Sequence, residues 1–296
     1  MTVVVGYRAG KIGLSGLQLA VRAARTLRTS LTVATIVGKP WLTPPLAEYQ
    51  HWADQLAADS ATEARRYLRE LADGVDVTYQ HRAHRSVSGG LIEVVEETDA
   101  EVLVLGSLPG ALPGLGALPG RGGVVIGSTA GRLLHSSPVP VAISPSGYRA
   151  HTGSFTRLTC AYAATAESIG VLRRCIDFAE EVQLPVRVIT FAVRGRTMYP
   201  PEVGLDAEDS ILDAWATQAR EILENLKTEG IVGENVVLQV VTGNSWEEAL
   251  HAAEWDDGEI LALGTSPGGE IRRVFLGSRA TKIIRHSPIP VLVLPG

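Results

Sequence analysis

Two kinds of hydrophobic pattern alternate along the chain. Short apolar runs are typical of buried strands, and longer stretches with apolar residues every three or four positions are typical of helices. The runs predict strands at 3–5, 31–37, 75–79, 102–105, 141–143, 158–162, 186–192, 236–241, 260–263 and 291–294. The helical pattern falls between them, most clearly at 14–27, 47–72, 87–97, 169–179, 205–227 and 246–255. Strands alternating with helices indicate right-handed crossovers and parallel sheets, whose strands are apolar because both faces are covered.

The two halves of the chain carry the same closing segment. Residues 127–145 align without a gap on residues 277–295, and each copy reads as Gly-Ser, a short helix, a Ser-Pro break and an apolar strand. The chain is therefore predicted to be a duplication. The polar, glycine-containing segment 146–153 is the predicted boundary, which gives domains at 1–146 and 156–296.

The Gly-Ser turn of the second copy predicts a helix start with free backbone donors. Ser278 has the residue type and position of an N-cap, so unpaired N–H groups are expected to follow it. A helix N-terminus beside a buried parallel sheet can bind an anion.

Composition and charge exclude several classes of protein. The 296 residues are 45% hydrophobic, which indicates packed domains, and the net charge of −5 provides no basic surface for nucleic acid. Two cysteines exclude a disulfide framework and a Cys-rich metal site, and Cys160 and Cys175 are predicted to be core residues. The chain begins without a secretory signal and has no apolar run of about 20 residues, so we expect a soluble cytoplasmic protein without a membrane segment.

Catalytic and metal-binding motifs are not found in the sequence. It contains neither a P-loop nor a nucleophile elbow, and its seven histidines form no pair with an orienting acid. His135 and His286 end the closing helices, where a cation interacts favourably with the helix dipole. Ser88-Gly89-Gly90 opens a helix. We therefore predict no enzyme activity, no catalytic residues and no metal ligands, and we interpret the helical tryptophans as core or interface anchors: Trp52, Trp215, Trp246 and Trp255.

The order of elements and the repeated Gly-Ser…Pro-Val-Leu-Val segment resemble the universal stress protein family in its tandem two-domain form. The resemblance implies an α/β fold of two tandem flavodoxin-like (Rossmann-like) domains. Each would be a five-stranded parallel sheet of order 3-2-1-4-5 with helices on both faces. It also implies that the domains pair through their last strands, at 141–143 and 291–294, and that two chains form a homodimer.

One branch of that family binds ATP through an Asp after the first strand and a Gly-x2-Gly-x9-Gly-Ser/Thr loop after the fourth. Arg8 and Ala163 occupy the Asp position in the two halves, and Pro267 stands at the second glycine. The resemblance makes ATP the candidate cofactor of the second half alone. Its phosphates would be held by Gly264, Gly268, Gly277 and Ser278. In the first half the corresponding loop carries an apolar Leu-Pro-Gly repeat at 108–120, where a phosphate cradle needs donors.

Three functional hypotheses follow. The first is a non-catalytic regulatory protein of the stress response, with degenerate ATP motifs and protein partners that the sequence does not identify. The second is an adenine-nucleotide sensor that uses the second domain, with slow hydrolysis as a further option. The third is a carrier of a small apolar ligand, suggested by the apolar loop at 108–120.

Overall fold

The computed structural model describes residues 1–10, 14–39, 46–107, 124, 126–150, 153–165, 168–194, 205–268, 273–275 and 277–295. The first half comprises β1 (Thr2–Gly6), α1 (Ser15–Leu27), β2 (Ser30–Gly38), α2 (Leu46–Leu71), β3 (Val77–His84), α3 (Val87–Glu97), β4 (Ala100–Gly106), α4 (Ser128–Ser136) and β5 (Val141–Ser144). The second half comprises β6 (Arg157–Ala161), α5 (Ile169–Glu181), β7 (Val186–Val193), α6 (Leu205–Thr228), β8 (Val237–Gly243), α7 (Trp246–His251), β9 (Glu259–Gly264), β10 (Ser266–Gly268), β11 (Arg273–Phe275), α8 (Ser278–His286) and β12 (Val291–Leu294).

One sheet of ten strands runs through both halves, in the order β3-β2-β1-β4-β5-β12-β9-β6-β7-β8. Neighbouring strands within each half are parallel. Counted within its own half, each set has the order 3-2-1-4-5, as the resemblance implied. At the centre β5 and β12 pair antiparallel, with Ala142 opposite Leu292. Hydrogen bonds between β5 and β12 therefore join the two parallel half-sheets edge to edge into one continuous sheet.

Helices cover both faces of this sheet. Val3 and Val5 of β1 belong to a buried cluster with Leu17 of α1 and Leu172 of α5. Val4 points to the opposite face, where the cluster includes residues of α3, α4, α7 and α8: Leu91, Leu133, Leu250 and Ile284. Since side chains alternate along a strand, continuous apolar strands require cover on both sides. The predicted α/β architecture is confirmed.

Most predicted elements are present, but several details differ from the prediction. The third strand runs on to His84, and the hairpin of β10 and β11 was not anticipated. The predicted helix 246–255 ends at His251, and Glu254, within the predicted span, adopts a left-handed conformation with φ of 48° that no helix continues through. Trp52 and Trp215 are 48% and 43% exposed, which excludes the core role for these two and leaves the interface role as a prediction. Cys160 and Cys175 are both buried, as predicted.

The second half carries a buried ionic network at the amino-terminal ends of its strands. The Glu259 carboxylate accepts from Arg157 Nε at 3.0 Å and lies 2.8 Å from a guanidinium nitrogen of Arg187. The Arg187 guanidinium lies 4.7 Å from the centre of the Trp255 ring. Glu259 is 1% exposed, so these cations compensate the desolvation of its charge. At the same end of the first half, threonine hydroxyls on adjacent strands bond to each other instead.

The boundary segment is held along one face of α1. Arg22 is 1% exposed and donates to the Tyr148 hydroxyl at 2.8 Å and to the Asp257 carboxylate at 3.2 Å. Thr26 Oγ1 accepts from the backbone N–H of Phe155 at 2.8 Å. Gln18 occupies the same face, since residues four apart on a helix are neighbours, and it accepts from the Ala150 N–H at 2.6 Å. This face of α1 therefore connects the first half, the boundary segment and the second half.

Candidate functional site

The predicted phosphate site lies at the carboxyl end of the second half-sheet, the edge at which open parallel sheets bind ligands. Gly264 ends β9, and Gly268 ends β10. Gly277 precedes α8, and Ser278 is its first residue. Ala163, at the position of the family Asp, follows β6 and is exposed.

The end of β9 is occupied by protein groups. A Cβ atom on Gly264 would lie 2.2 Å from Cγ1 of Val171, so α5 approaches the strand so closely that only glycine fits. Thr265, the next residue, donates its amide to the Leu294 carbonyl at 3.2 Å, and its carbonyl accepts from Arg174 at 3.2 Å. Gly264 therefore has a packing role, and the amide that follows it is already engaged.

The Gly-x2-Gly part of the motif is folded into an antiparallel hairpin. Pro267 lies opposite Val274, and Gly268 lies opposite Arg273. Pro267 has no N–H to donate. The second strand of the hairpin, β11, contacts α4 of the first half. Residues 269–272, which connect the two strands of the hairpin, lie outside the described residues.

The start of α8 corrects the predicted cap. Gly277 is the N-cap, with φ of −60° and ψ of 158°, and as a glycine it has no side chain to cap the first-turn donors. Ser278 is already helical, so its hydroxyl does not occupy the N-cap position from which a side chain reaches the N–H groups ahead. Among the described residues, no atom lies within 4 Å of the place that a Cβ on Gly277 would occupy. Neither packing nor backbone conformation therefore requires glycine at position 277.

Neither residue at the position of the family Asp supplies a carboxylate. In the second half, burial raises the pKa of Tyr162, and the exposed Ala163 follows it. In the first half, burial and the nearby Glu63 carboxylate raise the pKa of Tyr7. Arg8 comes next, and its Nε is buried without a hydrogen-bond partner among the described residues. Neither Ala163 nor Arg8 itself therefore offers an anionic acceptor to a base amine.

The first half is closed at the same place by a different contact. A Cβ on Gly16 of α1 would lie 2.9 Å from the backbone nitrogen of Gly106, the last residue of β4. Ser107 then donates its amide to the Ser144 carbonyl at 3.2 Å. Both halves therefore bring the helix after their first strand against the glycine that ends their fourth. The apolar loop at 108–120 lies outside the described residues.

The remaining polar motifs have structural roles. The Ser86 hydroxyl caps α3 by accepting from the Gly89 N–H at 3.1 Å. A Cβ on Gly89 would lie 2.3 Å from the His84 ring, and one on Gly90 would lie 2.7 Å from Ile36. The two glycines therefore let α3 lie on β2 and β3. His286 does end α8, but burial lowers its pKa, so the structure favours the neutral ring there. Within the described ranges, no group of three or more His, Cys, Asp or Glu residues could hold a metal ion.

Comparison with known proteins identifies the chain's relatives. A model of the Universal stress protein family matches residues 1–145 and again residues 154–295. The chain belongs to the universal stress protein family. A universal stress protein of Mycobacterium bovis is 65% identical over 300 residues, covering 100% of both chains, and one of Mycobacterium tuberculosis H37Rv has the same identity and coverage.

Solved structures support the tandem architecture of this universal stress protein. The crystal structure of a universal stress protein from Archaeoglobus fulgidus is 17% identical, with a TM-score of 0.61, and covers 99% of this chain and 98% of that one. A protein of unknown function from Pseudomonas aeruginosa is 15% identical, with a TM-score of 0.55, and covers 99% and 92%. At this identity the likeness concerns the fold.

Among the helices that the structure describes, none has the length and apolar character needed to span a bilayer.

Sequence reasoning did not identify the groups that occupy the strand end. Val171 stands one position before Leu172, which belongs to the apolar face predicted for α5, and nothing in its residue type signals contact with Gly264. Arg174 and Thr265 meet only through tertiary packing. The hairpin had one local signal, because Pro267 and Val274 flank a glycine pair in a short span, as in many hairpins.

Proposed function

We propose that this universal stress protein is a non-catalytic binding protein that acts in the stress response through other proteins, and that its nucleotide motif now serves the fold. The observation that carries the proposal is the end of β9, where Val171 packs on Gly264 and the Thr265 amide is bound to Leu294. A phosphate cradle needs converging free N–H groups at this point. The hairpin at Pro267 and the loss of the acidic residue at Ala163 support the same conclusion.

The ATP sensor is the second candidate, and one observation favours it. The first-turn N–H groups of α8 have no side-chain cap, and position 277 has a glycine that packing does not require. A glycine without a structural reason is suited to a backbone that a ligand approaches closely. In this alternative Gly277 and Ser278 hold phosphate, while Gly264 and Gly268 shape the chain around them.

Thermal unfolding with and without excess ATP and magnesium separates the two candidates. A ligand at about 100 times its Kd adds roughly 2.7 kcal/mol to stability. We expect no shift of the midpoint in millimolar ATP and no release of ADP on prolonged incubation. Ser278→Ala tests the second half, and Ser128→Ala, at the first residue of α4, is the matched control in the first half. An upward shift that Ser278→Ala abolishes and Ser128→Ala retains would replace our proposal with the sensor.

Location, assembly and ligand carriage complete the proposal. We propose a cytoplasmic protein that forms homodimers, with partner proteins still to be identified by their co-purification. Light scattering coupled to gel filtration tests the assembly, and a monomer at micromolar concentration would contradict it. The carrier hypothesis depends on the loop at 108–120, and its minimum support would be an apolar molecule that co-purifies with the protein.

A further inference from the structure

A groove of about 330 Å³ lies in the first half between α2 and the strands β2 and β3. It is separate from the strand-end site described above. Its volume is at the lower end of the range of about 300–1,000 Å³ typical of small-molecule pockets. Its walls are mostly apolar and come from β2, β3 and one face of α2: Val33, Ala57, Ala58, Ala61 and the ring of Tyr79. The alanines leave open the space that larger side chains would fill.

Polar groups without protein partners line this groove. Thr35 is 3% exposed, and its hydroxyl makes no hydrogen bond with any residue that the structure describes. Arg65 lies with its guanidinium 4.5 Å from the centre of the Tyr79 ring and forms no ion pair within the described ranges. A hydroxyl that faces the groove can donate or accept a hydrogen bond, and a guanidinium held on an aromatic ring still offers its N–H groups to an anion. Both groups therefore offer hydrogen bonds to a ligand in the groove.

The second half provides an internal comparison. Val33 and Thr35 of β2 lie opposite Tyr79 and His81 of β3, whereas Val188 and Thr190 of β7 lie opposite Leu238 and Val240 of β8. Thr190 donates its hydroxyl to the Tyr162 carbonyl at 3.0 Å, and Leu238 and Val240 pack against the core. In the second half, the threonine hydroxyl is therefore hydrogen-bonded and its neighbours on the next strand are apolar. In the first half, the equivalent Thr35 has no hydrogen bond to a described residue, and its neighbours on β3 are Tyr79 and His81.

The positions of these groups define the class of ligand. Thr35 lies opposite His81, which is two residues beyond Tyr79 on β3. Thr35 and Tyr79 are therefore about 6.6 Å apart along the strand direction. This is close to the length of a benzene ring that carries polar groups at opposite ends. Asp54 lines the groove about 16 Å from Arg65 along the axis of α2, and its charge would repel a second carboxylate. We propose that the groove binds a small aromatic or similarly flat monocarboxylic acid, with the carboxylate on Arg65 and a second polar group at Thr35.

Calorimetric titration of the full chain with 4-hydroxybenzoate tests this proposal. 4-Hydroxybenzamide has the same shape without the charge, and terephthalate carries a second carboxylate. We expect saturable binding of 4-hydroxybenzoate and an affinity lower by about tenfold or more for the amide, because the charge-assisted bidentate contact is lost. Terephthalate should bind more weakly than 4-hydroxybenzoate by a smaller factor, because Asp54 opposes its second carboxylate from a distance. Equal affinity for the amide would overturn the assignment of Arg65 as a carboxylate receptor.

Variants locate the binding in the groove. Arg65→Met removes the cation, and Ala58→Phe fills the space from an exposed helix position that tolerates a larger side chain. Both should reduce binding of 4-hydroxybenzoate by about tenfold or more. The matched controls are Arg220→Met and Ala214→Phe, at exposed positions of α6 in the second half, and both should bind as the parent does.

Each result of this series decides the question. Thermal midpoints identify any variant that has lost its fold, and Thr35→Val provides a second, nearly isosteric probe of the same groove. Loss in Arg65→Met and Ala58→Phe with retention in both controls supports the site. Absence of binding at millimolar 4-hydroxybenzoate, or binding that Ala58→Phe leaves unchanged, would overturn it. The outcome is independent of whether α8 binds ATP.

Discussion

At the scale of single residues, the hydroxyl groups at helix starts have different roles despite similar sequences. Ser245 precedes α7 in an extended conformation, and its hydroxyl accepts from the Glu248 N–H at 3.2 Å. Ser278 follows an extended Gly277 and is part of its helix. A serine caps a helix only if it is the last residue before the helical conformation begins. A shift of one position is enough to abolish that role.

Alanine substitution of the two serines should therefore have different effects. We expect Ser245→Ala to lower the free energy of unfolding by about 1 kcal/mol through loss of a cap. Ser278→Ala should change it by less than about 0.5 kcal/mol, as an ordinary surface substitution does. Urea unfolding of the two variants measures both values. Equal losses would indicate that Ser278 caps α8 after all.

His286 should make the stability of the protein depend on mildly acidic pH. Burial lowers its pKa in the folded chain below the ordinary value of about 6.5. The unfolded chain then takes up the proton at a higher pH than the folded chain does, so stability falls as the pH drops below about 6.5. We expect His286→Gln to lose less stability than the parent between pH 7 and pH 5, measured by urea unfolding. A parallel loss in the two proteins would assign the dependence to other groups.

At the scale of elements, the distance between a helix and a strand end determines what the strand end can bind. Val171 of α5 rests on Gly264, and Gly16 of α1 rests on Gly106. Gly264 and Gly106, which end the fourth strands of the two halves, stand where the ATP-binding branch of the family has the first glycine of its phosphate motif. In this chain they let the helix after the first strand approach the fourth strand. A glycine at this position can therefore either receive a phosphate or let a helix pack closely, and the position of the neighbouring helix decides between the two roles.

Gly264→Ala tests this packing role. The added methyl group would overlap Val171, and we expect a loss of about 1–3 kcal/mol, as in other overpacked sites. Val171→Ala should restore part of that loss in the double variant, because it removes the overlapping atoms. Gly277→Ala, with open space at its Cβ, is the matched control and should be close to neutral. A neutral Gly264→Ala measured by chemical unfolding would show that α5 yields easily.

At the scale of the whole molecule, the boundary segment and the central strand pair connect the halves. β5 and β12 continue one sheet across the junction, and Arg22 of α1 reaches Asp257 of the second half. Arg22 is almost fully buried, whereas Asp257 is 46% exposed. The buried guanidinium therefore needs hydrogen-bond partners to compensate its desolvation, whereas the exposed carboxylate can be solvated by water.

Removing either member of this pair should have unequal consequences. Asp257→Ala leaves a buried guanidinium with reduced compensation, and we expect a loss of about 2 kcal/mol. Arg22→Met keeps an apolar side chain between Tyr148 and Phe155 and removes the buried charge, leaving the Tyr148 hydroxyl without this donor beside an exposed carboxylate, so its loss should be smaller. Guanidinium unfolding of both variants gives the order. If Arg22→Met proved the more damaging change, stacking on the two rings would outweigh the ion pair.

The fold was predictable from the sequence because its signals are local. The strand at Val291–Leu294 is apolar throughout, and α1 and α5 show helical periodicity, so their types follow from short windows. The duplication then assigned the same topology to both halves. The candidate site was less predictable, since the role of Gly264 depends on Val171, which is far away in the chain, and the role of Ser278 depends on a helix start that is displaced by one residue.

The sequence by itself determined the α/β class, the duplication and the membership of a family whose pattern its closing segments share. Tertiary structure alone decided that Val171 occupies the strand end, that Pro267 enters a hairpin, and that Thr35 faces an open groove while Thr190 bonds to Tyr162. The physical reason is that hydrophobic periodicity specifies which face of an element is buried. It does not specify how closely two buried faces approach, and a difference of one or two ångströms decides whether a glycine packs a helix or receives a ligand.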